Sequence, residues 1–74
     1  MHTLNAKNLM CPMPVIRTQD TIKTMHPGEQ LRVECSDPGT LHDIPAWCRI
    51  NGHKLVSAQD NGDEIVIIVE VGAA

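Results

Sequence analysis

CPMPVIRTQDTIKTMHPG, residues 11 to 28, is the stretch whose reading decides the fold. Cys11 is followed by two prolines one residue apart, Pro12 and Pro14, which lead directly into an amphipathic segment. Proline has no backbone N–H and a φ fixed near the helical value. It therefore suits the first turn of a helix, where N–H groups have no intrahelical acceptor. The pattern predicts a helix from Pro12 to Met25 with Cys11 at or near its N-cap. Val15, Thr18, Ile22 and Met25 share one face with Ile16 beside them, and Arg17, Gln19, Asp20 and Lys23 cover the other. Met13 then points outward. His26-Pro27-Gly28 stops the helix, because Pro27 disfavours α geometry at His26 and Gly28 turns freely. A thiol at the positive end of this helix should titrate below its free value of about 8.5.

Strands are expected on both sides of this helix. His2-Thr3-Leu4-Asn5 alternates in part and reads as a first strand, and Ala6 to Met10 is a connection. Asn8 is the residue there most able to adopt positive φ. Leu9 and Met10 are more apolar than a loop needs, so one of them should pack beneath the Cys11 turn or line its rim. After the helix, Leu31, Val33 and Cys35 alternate with Arg32, Glu34 and Ser36, a half-buried strand with Cys35 facing the core. Strand, helix, strand on this scale is a right-handed βαβ unit with parallel strands.

Asp37-Pro38-Gly39-Thr40 reads as a turn and a second helix start, with Asp37 as N-cap and Pro38 as N1. Leu41, Ile44 and Cys48 lie on one face, joined by Trp47. Pro45 should kink this helix, and Asn51-Gly52 should end it. His53 to Gln59 is a third strand, and Asp60-Asn61-Gly62-Asp63 is a hairpin with Asn-Gly in a type I′ turn. Glu64 to Val71 is the most apolar strand and therefore an interior one. Gly72-Ala73-Ala74 is expected to fray. The order βαβαββ predicts a single domain over 1–74: an α/β (α+β) two-layer sandwich with a four-stranded mixed sheet and both helices on one face. The second sheet face would stay comparatively open as a docking surface.

Composition narrows the function. The chain has 74 residues, a net charge of −3 and 42% hydrophobic residues, with Trp47 as its only aromatic. The core must therefore be aliphatic. With no basic field to hold a phosphate backbone, direct nucleic-acid binding is not expected. The acidic balance suits a basic protein partner. There are three cysteines, 24 and 13 residues apart, and no CxxC pair. A disulfide scaffold is disfavoured, neither a secretory signal nor a membrane span is read, and a cytoplasmic location is expected.

Cys11-Pro12-Met13-Pro14, Pro27-Gly28-Glu29, and Asp37-Pro38 through Asp43-Ile44-Pro45 before Cys48 together resemble the TusA/SirA-like sulfur-carrier family. The resemblance spans essentially the whole chain. It implies the same βαβαββ sandwich and a sulfurtransferase-type carrier whose Cys11 holds sulfur as a persulfide. The implied partners are a cysteine desulfurase or other sulfur donor protein and a downstream sulfur acceptor, in tRNA thiolation, molybdenum-cofactor assembly or sulfur oxidation. Two positions depart from the family pattern. Asn8 stands where glycine is common, and Met13 fills the variable place of CPxP, where members serving tRNA thiolation carry an acidic residue.

Each candidate residue also has a plainer role. Cys11 is either a reactive thiol or an ordinary cap. Pro12 and Pro14 start the helix and thereby hold the thiol rigidly. Met10 and Met13 are soft docking contacts or incidentally exposed. Arg17 either meets a partner or solvates the helix, and Asp37 is a cap that also lies near the partner-facing end. Cys35 and Cys48 read as small core hydrophobes. The short ligand pairs of a zinc site are missing, so no metal and no resident cofactor are expected. An encounter-type carrier should be monomeric. The alternatives are a non-catalytic binding or regulatory module of the same fold and a small metal-binding protein.

Overall fold

The computed structural model describes residues 1–72. Its elements are β1 (His2–Ala6), α1 (Met13–Ile22), β2 (Gln30–Cys35), α2 (Thr40–Asn51), β3 (Lys54–Asp60) and β4 (Ile65–Glu70). The sheet order is β1-β2-β4-β3, with β1 parallel to β2 and the other pairs antiparallel. Both helices pack on one face of this mixed sheet, as the element order implied. α1 lies against β1, β2 and α2, and α2 lies against β3 and β4.

Register explains the single core. Leu31, Val33 and Cys35 stand opposite Val69, Ile67 and Ile65, all buried on the helix side. Ala6 pairs with Cys35 and completes this layer, with Leu4 packed beside it. The continuous run of β4 follows from its interior place. Val66 and Ile68 alternate onto the opposite face, across from Glu34 and Arg32. Among the described residues no helix covers that face. It is dressed by an Arg32–Glu34 ion pair at 3.0 Å and a Gln30–Glu70 contact at 3.4 Å. β3 is an exposed edge with an irregularity between Leu55 and Ser57, a device that discourages further strand pairing.

α1 differs from the sequence reading in two ways. It ends at Ile22, not Met25, because Thr24 and Met25 make short i→i+3 bonds and Thr21 and Thr24 turn their hydroxyls onto preceding carbonyls. Its fully buried stripe is Pro14, Thr18 and Ile22, with Val15 half-buried and Ile16 41% exposed. Thr18 can sit in the core because its hydroxyl donates to the Pro14 carbonyl at 2.8 Å.

Other boundaries moved less. α2 passes through Pro45 without a break and ends at left-handed Gly52. In the hairpin, the Asn61 N–H bonds Glu64 O at 2.8 Å, so the central residues are Gly62 and Asp63. Only Gly62 has positive φ, which fits a type II′ turn and corrects the Asn-Gly type I′ reading. Ala73 and Ala74 lie outside the described residues. Gly72 is not frayed: its N–H donates to His53 Nδ1 at 3.0 Å, and a Cβ there would run into the Gly52 carbonyl.

Glu29 ties the α1–β2 loop to β1. It accepts from the His26 N–H at 2.6 Å and meets His2 Nε2 at 2.9 Å, and these contacts hold its pKa below the ordinary 4.5. A depressed carboxylate contributes stability above its unfolded pKa and loses it as pH falls through the folded value. Glu29→Gln should therefore flatten the fall of melting temperature below about pH 4.5 and leave the neutral-pH slope unchanged. Thermal melts across that range test it.

Candidate functional site

Both parallel strands, β1 and β2, feed helices that start at the same end of the sheet. The loops leaving Ala6 and Cys35 are therefore neighbours there. Asn8 adopts φ of +66°, the left-handed geometry expected of it, and its N–H donates to Ser36 Oγ at 3.2 Å. Leu9 packs onto the core beneath the turn and Met10 stands 78% exposed at its rim. Met13 N–H bonds the Met10 carbonyl at 2.9 Å, closing a tight turn that carries Cys11 on its outside. The Cys11–Pro12 peptide is cis, Pro12 is the N-cap residue of α1, and Cys11 lies one residue before it.

Asp37 clamps the two loops together. Its Oδ2 accepts from the Cys11 N–H at 3.1 Å and its Oδ1 from the Gly39 N–H at 3.0 Å. The second contact is the bond of an N-cap to a residue two positions on. The α-helix proper begins only at Thr40, after a turn of i→i+3 bonds from Asp37 to His42. Asp37 thus caps that opening turn, and Gly39 occupies the formal N-cap. Asp37→Ala orphans both N–H groups and should cost about 1–2 kcal/mol. In a domain of this size that lowers the melting temperature by roughly 5–15 °C. Asp37→Asn, whose single side-chain oxygen can accept only one of the two N–H groups, should recover part of the loss in the same melt.

The thiol itself meets a second carboxylate. Cys11 Sγ–H donates to Asp43 Oδ2 at 3.1 Å. This bond, then desolvation and the charges of Asp43 and Asp37, raise the Cys11 pKa above its ordinary value. The expected lowering by the α1 dipole is overturned, for a visible reason. Pro12 and Pro14 have no N–H, and that of Met13 is spent on Met10, so the first turn points few donors at the sulfur. A proton-accepting carboxylate fills the place instead.

Asp43 is the site residue that the sequence reading did not single out. It was visible as the first letter of Asp43-Ile44-Pro45 and lies in the first turn of α2. Of the named candidates, the fold brings Cys11, Pro12, Met13, Pro14, Met10 and Asp37 into one cluster. Met13 is 36% exposed beside Met10, while Pro14 is buried and anchors the turn from below. Arg17 lies exposed one helical turn beyond Met13. Cys11 is exposed, whereas Cys35 and Cys48 are free and buried, with burial pushing Cys48 up to about 11. Among the described residues, no group of three or more His, Cys, Asp or Glu side chains is gathered to hold a metal ion, and no helix is long and apolar enough to cross a membrane.

A cleft of about 430 Å³ lies elsewhere, between the C-terminal ends of the helices. Ile22, Lys23, Trp47 and His53 line it, with the Trp47 and His53 rings stacked at 5.0 Å. None of the Cys11-turn residues contributes to it.

Two comparisons bear on this geometry. A family model described as sulfurtransferase TusA matches residues 2–71. The crystal structure of a SirA-like protein from Desulfitobacterium hafniense superposes with a TM-score of 0.84 at 19% identity, covering 99% of this chain and 100% of that one. At that identity the structural likeness speaks for the fold.

Proposed function

Because the chain belongs to the sulfurtransferase TusA family, we propose that it is a sulfur carrier that accepts a sulfane sulfur on Cys11 and relays it to a second protein. The observation that carries this reading is the placement of the thiols. Of three free cysteines only Cys11 is exposed, on a surface turn that another protein's cysteine can reach. Persulfide exchange needs that access on both the donor and the acceptor side. The turn is pinned by Asp37, by Asn8 and by the buried Pro14, so little loop entropy is lost on docking.

The donor is a cysteine desulfurase or another persulfide-bearing protein, and the acceptor is a protein of tRNA thiolation, molybdenum-cofactor assembly or sulfur oxidation. Met10, Met13 and Ile16 give the docking surface an adaptable apolar collar around the sulfur. Arg17 and Asp37 flank it. The carrier works as a cytoplasmic monomer, without a resident cofactor and without touching nucleic acid, in keeping with its net charge of −3.

The test is an intact mass after incubation with a cysteine desulfurase and cysteine. One added sulfur, about 32 Da, removable by a thiol reductant, is expected. A chain that gains no mass with any persulfide donor overturns the reading.

A further inference from the structure

We propose that Asp43 is the proton acceptor for Cys11 during sulfur transfer, an inference that rests on the carrier reading above. The geometry is direct: Asp43 Oδ2 lies 3.1 Å from Sγ, within reach of the proton that must leave for sulfur to become a nucleophile. The carboxylate is held in place. Asp43 sits in the first turn of α2, its N–H bonded to the Gly39 carbonyl at 2.9 Å, and Gly39 is in turn bonded to Asp37. One hydrogen-bonded unit therefore fixes both ends of the Sγ–Asp43 pair: Asp37 holds the Cys11 backbone and the turn that carries Asp43.

The two charges acting on Cys11 are both negative, Asp43 from α2 and Asp37 from the loop before it. They keep the resting sulfur a neutral thiol and so a poor target for stray oxidants and electrophiles. Reaction then requires proton removal at the moment of attack. The electron pair on Sγ attacks the terminal sulfur of the donor's cysteine persulfide as the Sγ proton passes to Asp43 Oδ2. The Sγ–S bond forms and the donor's S–S bond breaks. The donor cysteine leaves as a thiolate and takes the proton from Asp43. The sum is R–S–SH plus Cys11–SH giving R–SH plus Cys11–S–SH, with no external oxidant or reductant.

Asp43→Asn separates this role from simple thiol tuning, because the two predict opposite changes. Removing the charge should move the pH midpoint of Cys11 alkylation by iodoacetamide downward and speed alkylation at neutral pH. Single-turnover loading from a desulfurase should nevertheless fall by ~100-fold, the usual scale of general-base loss. Asp43→Glu, which keeps a carboxylate, should load within about tenfold of wild type. Loading by Asp43→Asn that equals or exceeds wild type overturns the proposal, as does an unmoved alkylation midpoint. If Asp43→Asn does not fold, Asp43→Ser replaces it in both measurements. A wild-type protein that takes up no sulfur removes the carrier reading and this step with it, an outcome distinct from a wild type that loads and an Asp43 variant that loads equally well.

Discussion

Cys11→Ser should give a folded protein that gains no sulfur from a desulfurase, whereas Cys35→Ser and Cys48→Ser should still gain one whenever they fold. The contrast follows from exposure. Cys11 is the sole exposed thiol, and Cys35 and Cys48 are buried in the core beside Ile44, Val33 and Ile65. Serine at position 11 is nearly isosteric, and its N–H can still reach Asp37 and its hydroxyl Asp43, so the turn keeps the contacts that shape it. Melting within a few degrees of wild type is therefore expected. The loss of sulfur uptake is all-or-none because a hydroxyl cannot form a persulfide. Serine at position 35 or 48 puts a hydroxyl among apolar side chains and should cost roughly 1–3 kcal/mol unless it finds a partner. Cys35 has one nearby in Thr40, so its serine variant should be the milder. An intact mass on each variant, with and without reductant, reads the result. A mass gain on Cys11→Ser would reassign the carrier thiol.

Much of this arrangement is written locally. The βαβαββ order follows from two periodicities and from the Pro-Gly and Asn-Gly stops, and the observed elements fall where those signals lie. The interior place of β4 was legible because five β-branched residues in a row, Ile65 to Val69, can be tolerated only with neighbours on both sides. Positive φ at Asn8 was legible for the same kind of reason, a residue type matched to a conformation.

The misread features depend on contacts between distant segments. Cys11 and Asp43 are 32 positions apart, and nothing near either residue encodes their pairing. The dipole expectation treated α1 as an isolated helix, and the carboxylate that decides the thiol's state comes from α2. On α1 the expected face holds at Thr18, Ile22 and Met25, and only its first position differs: Pro14 is packed inward in place of Val15, and Ile16 is turned out to solvent. Local composition suggests a loose end at Gly72, yet it is held by His53 and by close approach to Gly52, contacts that no local pattern announces. Around the sulfur, the turn and its helix start are legible locally. The acidic clamp beneath it became visible only when the two loops were brought together.

Ile67→Ala should be the most destabilising single truncation on β4, and Ile68→Ala, its neighbour, should be mild. The two differ by one position in register. Ile67 lies opposite Val33 on β2 and Ala58 on β3, faces the helices and is 0% exposed. Ile68 faces the helix-free side opposite Arg32 and is half-buried. Truncating a fully enclosed isoleucine removes its transfer free energy and leaves a cavity that close-packed neighbours cannot fill, about 2–5 kcal/mol. Total stability for a chain of this length is roughly 4–11 kcal/mol. The Ile67 variant should thus lose roughly a fifth of it or more and show a clearly lower urea midpoint at unchanged m-value. At position 68 the long stem of Arg32 can settle over the gap and water remains in contact, so the cost should be less than half as large. Equal losses at the two positions would mean that both sheet faces are covered in solution, and the helix-free face would then be an occupied interface of a dimer instead of an open surface.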